Sequence, residues 1–125
     1  MATKLIWIAL AGAMGTLCRY LLAGFVQNIG GAEFPWGTLA VNIIGCFIAG
    51  CLWTFFENHS TFTGELRIIV FIGFLGAFTT FSAFILETGE FLRSSEWMYA
   101  FANVAMQNVF GIIAFGAGAA LIRFV

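Results

Sequence analysis

The sequence predicts an all-α integral membrane protein of four transmembrane helices, the third broken mid-membrane. Three observations predict it. Of the 125 residues, 62% are hydrophobic and 9% charged, and the mean hydropathy is +1.01. A soluble domain this small has too much surface for its volume to hide that much apolar material. The apolar residues also gather into four stretches, each near the roughly 20 residues needed to cross a hydrocarbon core. Finally, the third stretch contains Gly73-Phe74-Leu75-Gly76-Ala77-Phe78-Thr79-Thr80-Phe81-Ser82-Ala83-Phe84, in which two glycines and two adjacent threonines weaken the helix. In lipid, freed backbone groups must find partners. A break near residues 76–79 is therefore expected to face protein, an ion or water, as discontinuous helices at ion and substrate sites do.

Span one covers residues 5–26. Its start, Met1-Ala2-Thr3-Lys4 followed by an apolar run, has the outline of a signal peptide. The run continues past Arg19 and Tyr20, however, which suits a retained spanning helix. Gly12, Gly15 and Arg19 recur at spacings of three and four and share one face. The glycines read as packing sites. Arg19 admits two readings: it faces a partner or wet cavity, or it snorkels to the interface. Span two, residues 37–56, follows a Pro35-Trp36 opening suited to a helix start at the interface. Thr38, Asn42, Gly45 and Ala49 form a small, partly polar stripe. The Asn42 amide needs a partner inside the bilayer; glue between helices is the commoner use, a ligand contact the other.

Span three, residues 66–92, holds the break. Beyond it Thr80 and Ser82 offer hydroxyls, and Phe81 and Phe84 share a face. With 16 Phe in the chain, most of these rings simply pack. Yet the edge of a phenyl ring is electropositive, so two rings can line a path for a small anion without holding it tightly. Span four, residues 97–124, places Asn103 and Gln107 one turn apart, with Asn108 beside them and Gly111 beyond. That is more amide than glue requires, and its N–H groups, with the Thr80 or Ser82 hydroxyls, can donate to an anion. The connectors, residues 27–35, 57–65 and 93–96, are short and polar, so residues 1–125 read as a single transmembrane domain.

Other classes are disfavoured. Cys18, Cys46 and Cys51 are odd in number and lie in apolar runs, as packing residues do. A net charge of −1 and no basic patch give no sign of a nucleic-acid partner. There is no Asp, and all six Glu fall in connectors or near span ends, so no carboxylate is placed for proton coupling. His59 lies in a connector and reads as solvated. No nucleophile–base pair, metal-ligand spacing or phosphate loop is present, so the chain does not read as an enzyme. Lys4, Arg67 and Arg123 on one side against Arg93 on the other make a weak orientation bias. Both insertions are therefore open. A chain this small needs an oligomer to enclose a pathway, and dual insertion permits an antiparallel homodimer.

Gly12-x-x-Gly15-x-x-x-Arg19-Tyr20, Gly37-Thr38-Leu39-x-Val41-Asn42-x-x-Gly45 and the 73–84 segment ending Thr79-Thr80-Phe81-Ser82-x-Phe84 resemble the Fluc (CrcB-type) fluoride channels. The match spans nearly the whole chain, in order. The resemblance implies a passive fluoride channel of the cell (inner) membrane, multi-pass, assembled as an antiparallel, dual-topology homodimer with two pores and a central Na⁺. It implies that the Gly76 and Thr79 carbonyls hold that sodium and that Phe81 and Phe84 offer ring edges to fluoride. Asn42 would donate to the anion, Arg19 would raise the anion potential at the vestibule, and Thr80 or Ser82 would line the track. Glu87 falls at a family glutamate near the pore end. Two positions depart: Gly76-Ala77 stands where many members have Gly-Gly, and Asn103, Gln107 and Gly111 replace a more hydroxylated track. The runner-up is a small multidrug-resistance exporter, but that class needs a carboxylate in its first span and residues 5–26 hold none. A third reading is a non-transporting subunit whose polar residues only join helices.

Overall fold

A computed structural model describes residues 1–59 and 64–123. Residues 60–63 of the second predicted connector, and residue 124 at the end of predicted span four, lie outside the described residues. Among the described residues, four helical segments are long and apolar enough to cross a membrane: Ala2–Gly30, Trp36–Asn58, Gly64–Arg93 and Trp97–Arg123. No strand occurs among the described residues.

Helix α1, Ala2–Gly30, outruns its predicted end by about one turn. Gln27 read as connector because it is polar. Its side chain instead folds over the helix end. Nε2 donates to the Gly31 and Phe34 carbonyls, and Oε1 accepts from the Gly37 N–H at 3.0 Å. One amide thereby satisfies backbone groups that the α1 terminus and the start of α2, Trp36–Asn58, would leave open.

The third segment departs from a plain helix twice. After α3, Gly64–Ile68, residues Ile69–Leu75 form a π-helical stretch, which ends with the Gly76 N–H donating to the Phe71 carbonyl. A single turn, α4 at Gly76–Phe78, follows. Thr79 and Thr80 then leave the helix with ψ of 159° and 111°, before α5, Phe81–Arg93. The break therefore lies at residues 79–80, just beyond the expected 76–79. Gly76 keeps helical angles (φ −62°, ψ −29°). Thr79 ends the turn by placing both its N–H and its hydroxyl on the Leu75 carbonyl, each at 2.9 Å. Thr80 caps α5, its Oγ1 accepting from the Ala83 N–H at 3.2 Å.

Packing depends on small residues. On α2 and on α6, Trp97–Arg123, a Cβ at Gly50 would run into the Phe115 carbonyl, and one at Gly118 into the Phe47 carbonyl. The two helices therefore touch backbone to backbone, as small residues permit in membranes. Gly15 does the same for α1 against the Phe74 carbonyl, so its reading as a packing site holds. A tight turn through Ser95 (φ 61°) joins α5 to α6. The interior is thin: Val41 and Asn103 are the largest fully buried side chains. Leu5, Phe25, Ile72, Phe101 and Ile112 are exposed, a surface suited to lipid or another apolar partner rather than water.

Candidate functional site

The site begins where α2 meets the break. Asn42 lies one turn beyond Thr38 on α2 and faces Thr80. The Thr80 N–H donates to Asn42 Oδ1 at 2.8 Å, and Asn42 Nδ2 donates to the Thr80 carbonyl at 3.1 Å and to Gln107 Oε1 at 3.0 Å. A backbone N–H can only donate, so the first bond fixes which end of Asn42 is oxygen. The orientation of Gln107 then follows, and its Nε2 is left buried with no hydrogen-bond partner among the described residues. A free amide donor inside a protein is costly unless something is there to accept.

That network borders a cavity of about 230 Å³ lined by Asn42, Cys46, Thr79, Thr80, Phe81, Phe84, Gln107 and Asn108. The Phe81 and Phe84 rings stand edge to face, 5.4 Å between centroids at 62°. Phe84 is 5% exposed and Phe81 74%, so the pair runs from the interior outward. A larger cavity, about 720 Å³, is lined by Thr16, Arg19, Tyr20, Gln27, Thr38, Thr80 and Ser82 among others. Thr80 lines both cavities, and its Oγ1 is 3.4 Å from Ser82 Oγ. Arg19 is half-buried in the wall of the larger one, without an ion-pair partner among the described residues. Asn103 stands apart. Fully buried, it donates to Thr88 Oγ1 at 3.0 Å and to the Phe84 carbonyl at 3.5 Å, linking α6 to α5. It lines neither cavity, and its Oδ1 is buried without a partner among the described residues. Glu87, read from sequence as near a span end, lies within the Gly64–Arg93 segment. It accepts from the Thr38 hydroxyl through Oε1, while Oε2 is buried without a partner among the described residues.

The chain matches the family described as "CrcB-like protein, Camphor Resistance (CrcB)" over residues 6–119. It belongs to the CrcB family. The protein named Fluoride-specific ion channel FluC from Desulforapulum autotrophicum is similar to it throughout, 57% identical over 125 residues and 100% of both chains. The protein of the same name from Nitrosococcus oceani is 56% identical over 110 residues, 88% of each chain. That from Salinibacter ruber is 45% identical over 120 residues, 94% of this chain and 90% of the relative. The family resemblance read from the motifs is thus correct.

In this CrcB-family chain the carbonyls singled out for a cation are freed by the break. A continuous helix would give the Gly76 carbonyl the Thr80 N–H, and the Thr79 carbonyl the Ala83 N–H. Those donors go to Asn42 Oδ1 and Thr80 Oγ1 instead. Gly76 is exposed and Thr79 half-buried, and a Cβ built on Gly76 meets nothing closer than the Phe71 carbonyl at 3.5 Å. Carbonyl oxygens are hard ligands that suit Na⁺. No cluster of three or more His, Cys, Asp or Glu that could hold a metal occurs among the described residues.

Three contributors were missed from the sequence. Cys46 read as packing, yet it lines the small cavity, and its Sγ lies 3.5 Å from where a Gly111 Cβ would stand. Thr88 pairs with Asn103, and Gln27 borders the larger cavity. The one sequence signal for these was that Cys46 stands one helical turn from Asn42 on the same face of α2.

Proposed function

We propose that the chain forms a passive fluoride-selective channel in the cell (inner) membrane, letting cytoplasmic fluoride leave down its electrochemical gradient. The observation that carries this reading is the small cavity, where a buried, unpartnered Gln107 N–H group sits with two phenyl rings set edge to face. The names of relatives 57% and 56% identical support fluoride as the anion. Arg19 attracts the anion into the larger cavity. Ser82 and Thr80 hydroxyls carry it to the junction of the two cavities, and Phe81, Phe84 and Gln107 replace its water beyond that point, with Asn42 lining the wall beside them. Asn103 acts from outside the cavities, holding the Phe84 backbone. Fluoride is small and strongly hydrated, so a narrow path of donors and ring edges accepts it and rejects larger chloride.

Two inverted copies of the chain assemble as a dual-topology homodimer with two such pathways. The Thr79–Thr80 break falls midway along the 30-residue segment Gly64–Arg93, which supports a position near the bilayer centre. There the Gly76 and Thr79 carbonyls of each copy would hold a structural Na⁺. When bound, that ion supplies a fixed positive charge joining the two copies.

The test is efflux from liposomes holding only this protein. Fluoride leaves rapidly and chloride does not. Equal chloride efflux, or no fluoride efflux, overturns the proposal, and proton-driven transport of a lipophilic cation would favour the small multidrug-resistance reading.

A further inference from the structure

We infer that Asn42 is a positioning residue for the cation site: its amide holds the Thr79–Thr80 break in the form that leaves the Gly76 and Thr79 carbonyls free. The inference rests on the reading of those two carbonyls as sodium ligands and adds a residue on a different helix.

The geometry is a two-point clamp. Asn42 Oδ1 takes the Thr80 N–H at 2.8 Å, and Asn42 Nδ2 gives a hydrogen to the Thr80 carbonyl at 3.1 Å. A side-chain amide has the donor and acceptor of a peptide unit, so Asn42 pairs with Thr80 as a neighbouring strand residue would. Thr80 is extended, φ −148° and ψ 111°, the backbone that such pairing needs. Remove the clamp and the Thr80 N–H has no water to turn to in a bilayer. Its nearest helical acceptor is the Gly76 carbonyl, so the segment is driven to close into a helix and to consume a cation ligand.

A pure anion-ligand role for Asn42 does not account for these bonds. Oδ1 is taken by Thr80, and Nδ2 is committed to Thr80 and Gln107. An anion would have to displace one of those acceptors, whereas Gln107 Nε2 is already without one. The bond from Asn42 to Gln107 braces the clamp from α6 but does not touch the break. That separation supplies the control.

The experiment uses the purified full chain in detergent micelles. The thermal midpoint is followed as Na⁺ replaces N-methylglucamine at constant ionic strength; because the climb is logarithmic above the dissociation constant, the half-rise concentration is taken as the fitted Na⁺ level at which the folded chain is half-occupied. In the unsubstituted chain the midpoint climbs with Na⁺. Asn42→Leu moves the half-rise concentration up about tenfold, the scale of one backbone hydrogen bond left to compete with the cation. Gln107→Leu leaves it within about twofold while fluoride efflux falls, because the clamp on Thr80 survives. A general loss of stability would lower the midpoint without moving the half-rise concentration. Should Asn42→Leu not fold, Thr80→Val removes the acceptor that diverts the Ala83 N–H and also moves the half-rise upward. An unchanged half-rise in the folded Asn42 variant, or in Thr80→Val if that variant alone folds, overturns the inference while leaving the sodium reading intact. No Na⁺ response in the unsubstituted chain overturns both.

Discussion

At the scale of residues, the candidate pathway is a matter of which hydrogen-bonding groups are spent and which are spare. Asn42 is spent on Thr80 and Gln107, Asn103 Nδ2 on Thr88 and Phe84, and Gln107 Nε2 is spare. Replacing Gln107 with Leu is therefore expected to lower fluoride efflux by about tenfold, the worth of one charged hydrogen bond at the lower end. Efflux unchanged from the parent rate, read with a fluoride electrode, would sink that role. Phe81→Ile and Phe84→Ile keep apolar bulk but remove the ring edges, and each is expected to cut efflux at least tenfold. If both variants conduct normally, the rings are packing only. Cys46 gives an independent check, since its thiol lines the small cavity while Cys18 and Cys51 line neither cavity. A small methanethiosulfonate reagent should slow efflux in the parent and have no effect in Cys46→Ser. Continued inhibition of that variant would place the reactive thiol elsewhere.

At the scale of elements, the spans were legible because length and apolarity alone set them, and the interruption of the third helix was legible to within a residue or two because adjacent threonines weaken a helix, although Gly76 keeps helical angles. The rest depends on partners far along the chain. Nothing near Asn42 announces Thr80 or Gln107, and the polar Gln27 side chain at the end of α1 is satisfied by Phe34 and Gly37 further along the chain. The π-helical stretch was invisible for a related reason: Ile69–Leu75 is an ordinary apolar run whose widened ladder answers to its packing, not its composition. The turn between α5 and α6 yields a prediction at this scale. Ser95 holds φ at 61°, a left-handed geometry that costs a side-chain-bearing residue about 1 kcal/mol. Ser95→Gly should raise the unfolding midpoint in detergent by roughly that much free energy, and a lowered midpoint would show that the serine side chain contributes something the backbone angle does not reveal.

At the scale of the whole molecule, one copy looks incomplete. Exposed Phe81 and the half-buried Arg19 both border openings on the flank of the chain, and a ring set edge to face needs a facing wall to confine an ion. The dual-topology proposal supplies that wall, and it predicts a labelling pattern. In a chain with its three native cysteines replaced, Ser94→Cys on the exposed α5–α6 turn should react with an impermeant thiol reagent from both faces of the membrane in comparable amounts. Reaction from one face alone would mean a single orientation and would remove the inverted pair.

The interlocked crossing of α2 and α6 carries a consequence for how such a conduit breathes. Because Gly50 and Gly118 let each helix press its bare spine against the other, neither can slide or roll without collision. Asn42, Cys46 and Gln107 ride on that fused pair, so they form a stiff bank. The opposite bank is tied to that pair at Thr80 by Asn42 and at the Phe84 carbonyl by Asn103, which leaves the exposed Phe81 ring as the pliant side of the passage. Whatever widening lets an ion squeeze by must come from the pliant side, and fluctuations in the width of the passage should be written in the motion of the Phe81 ring.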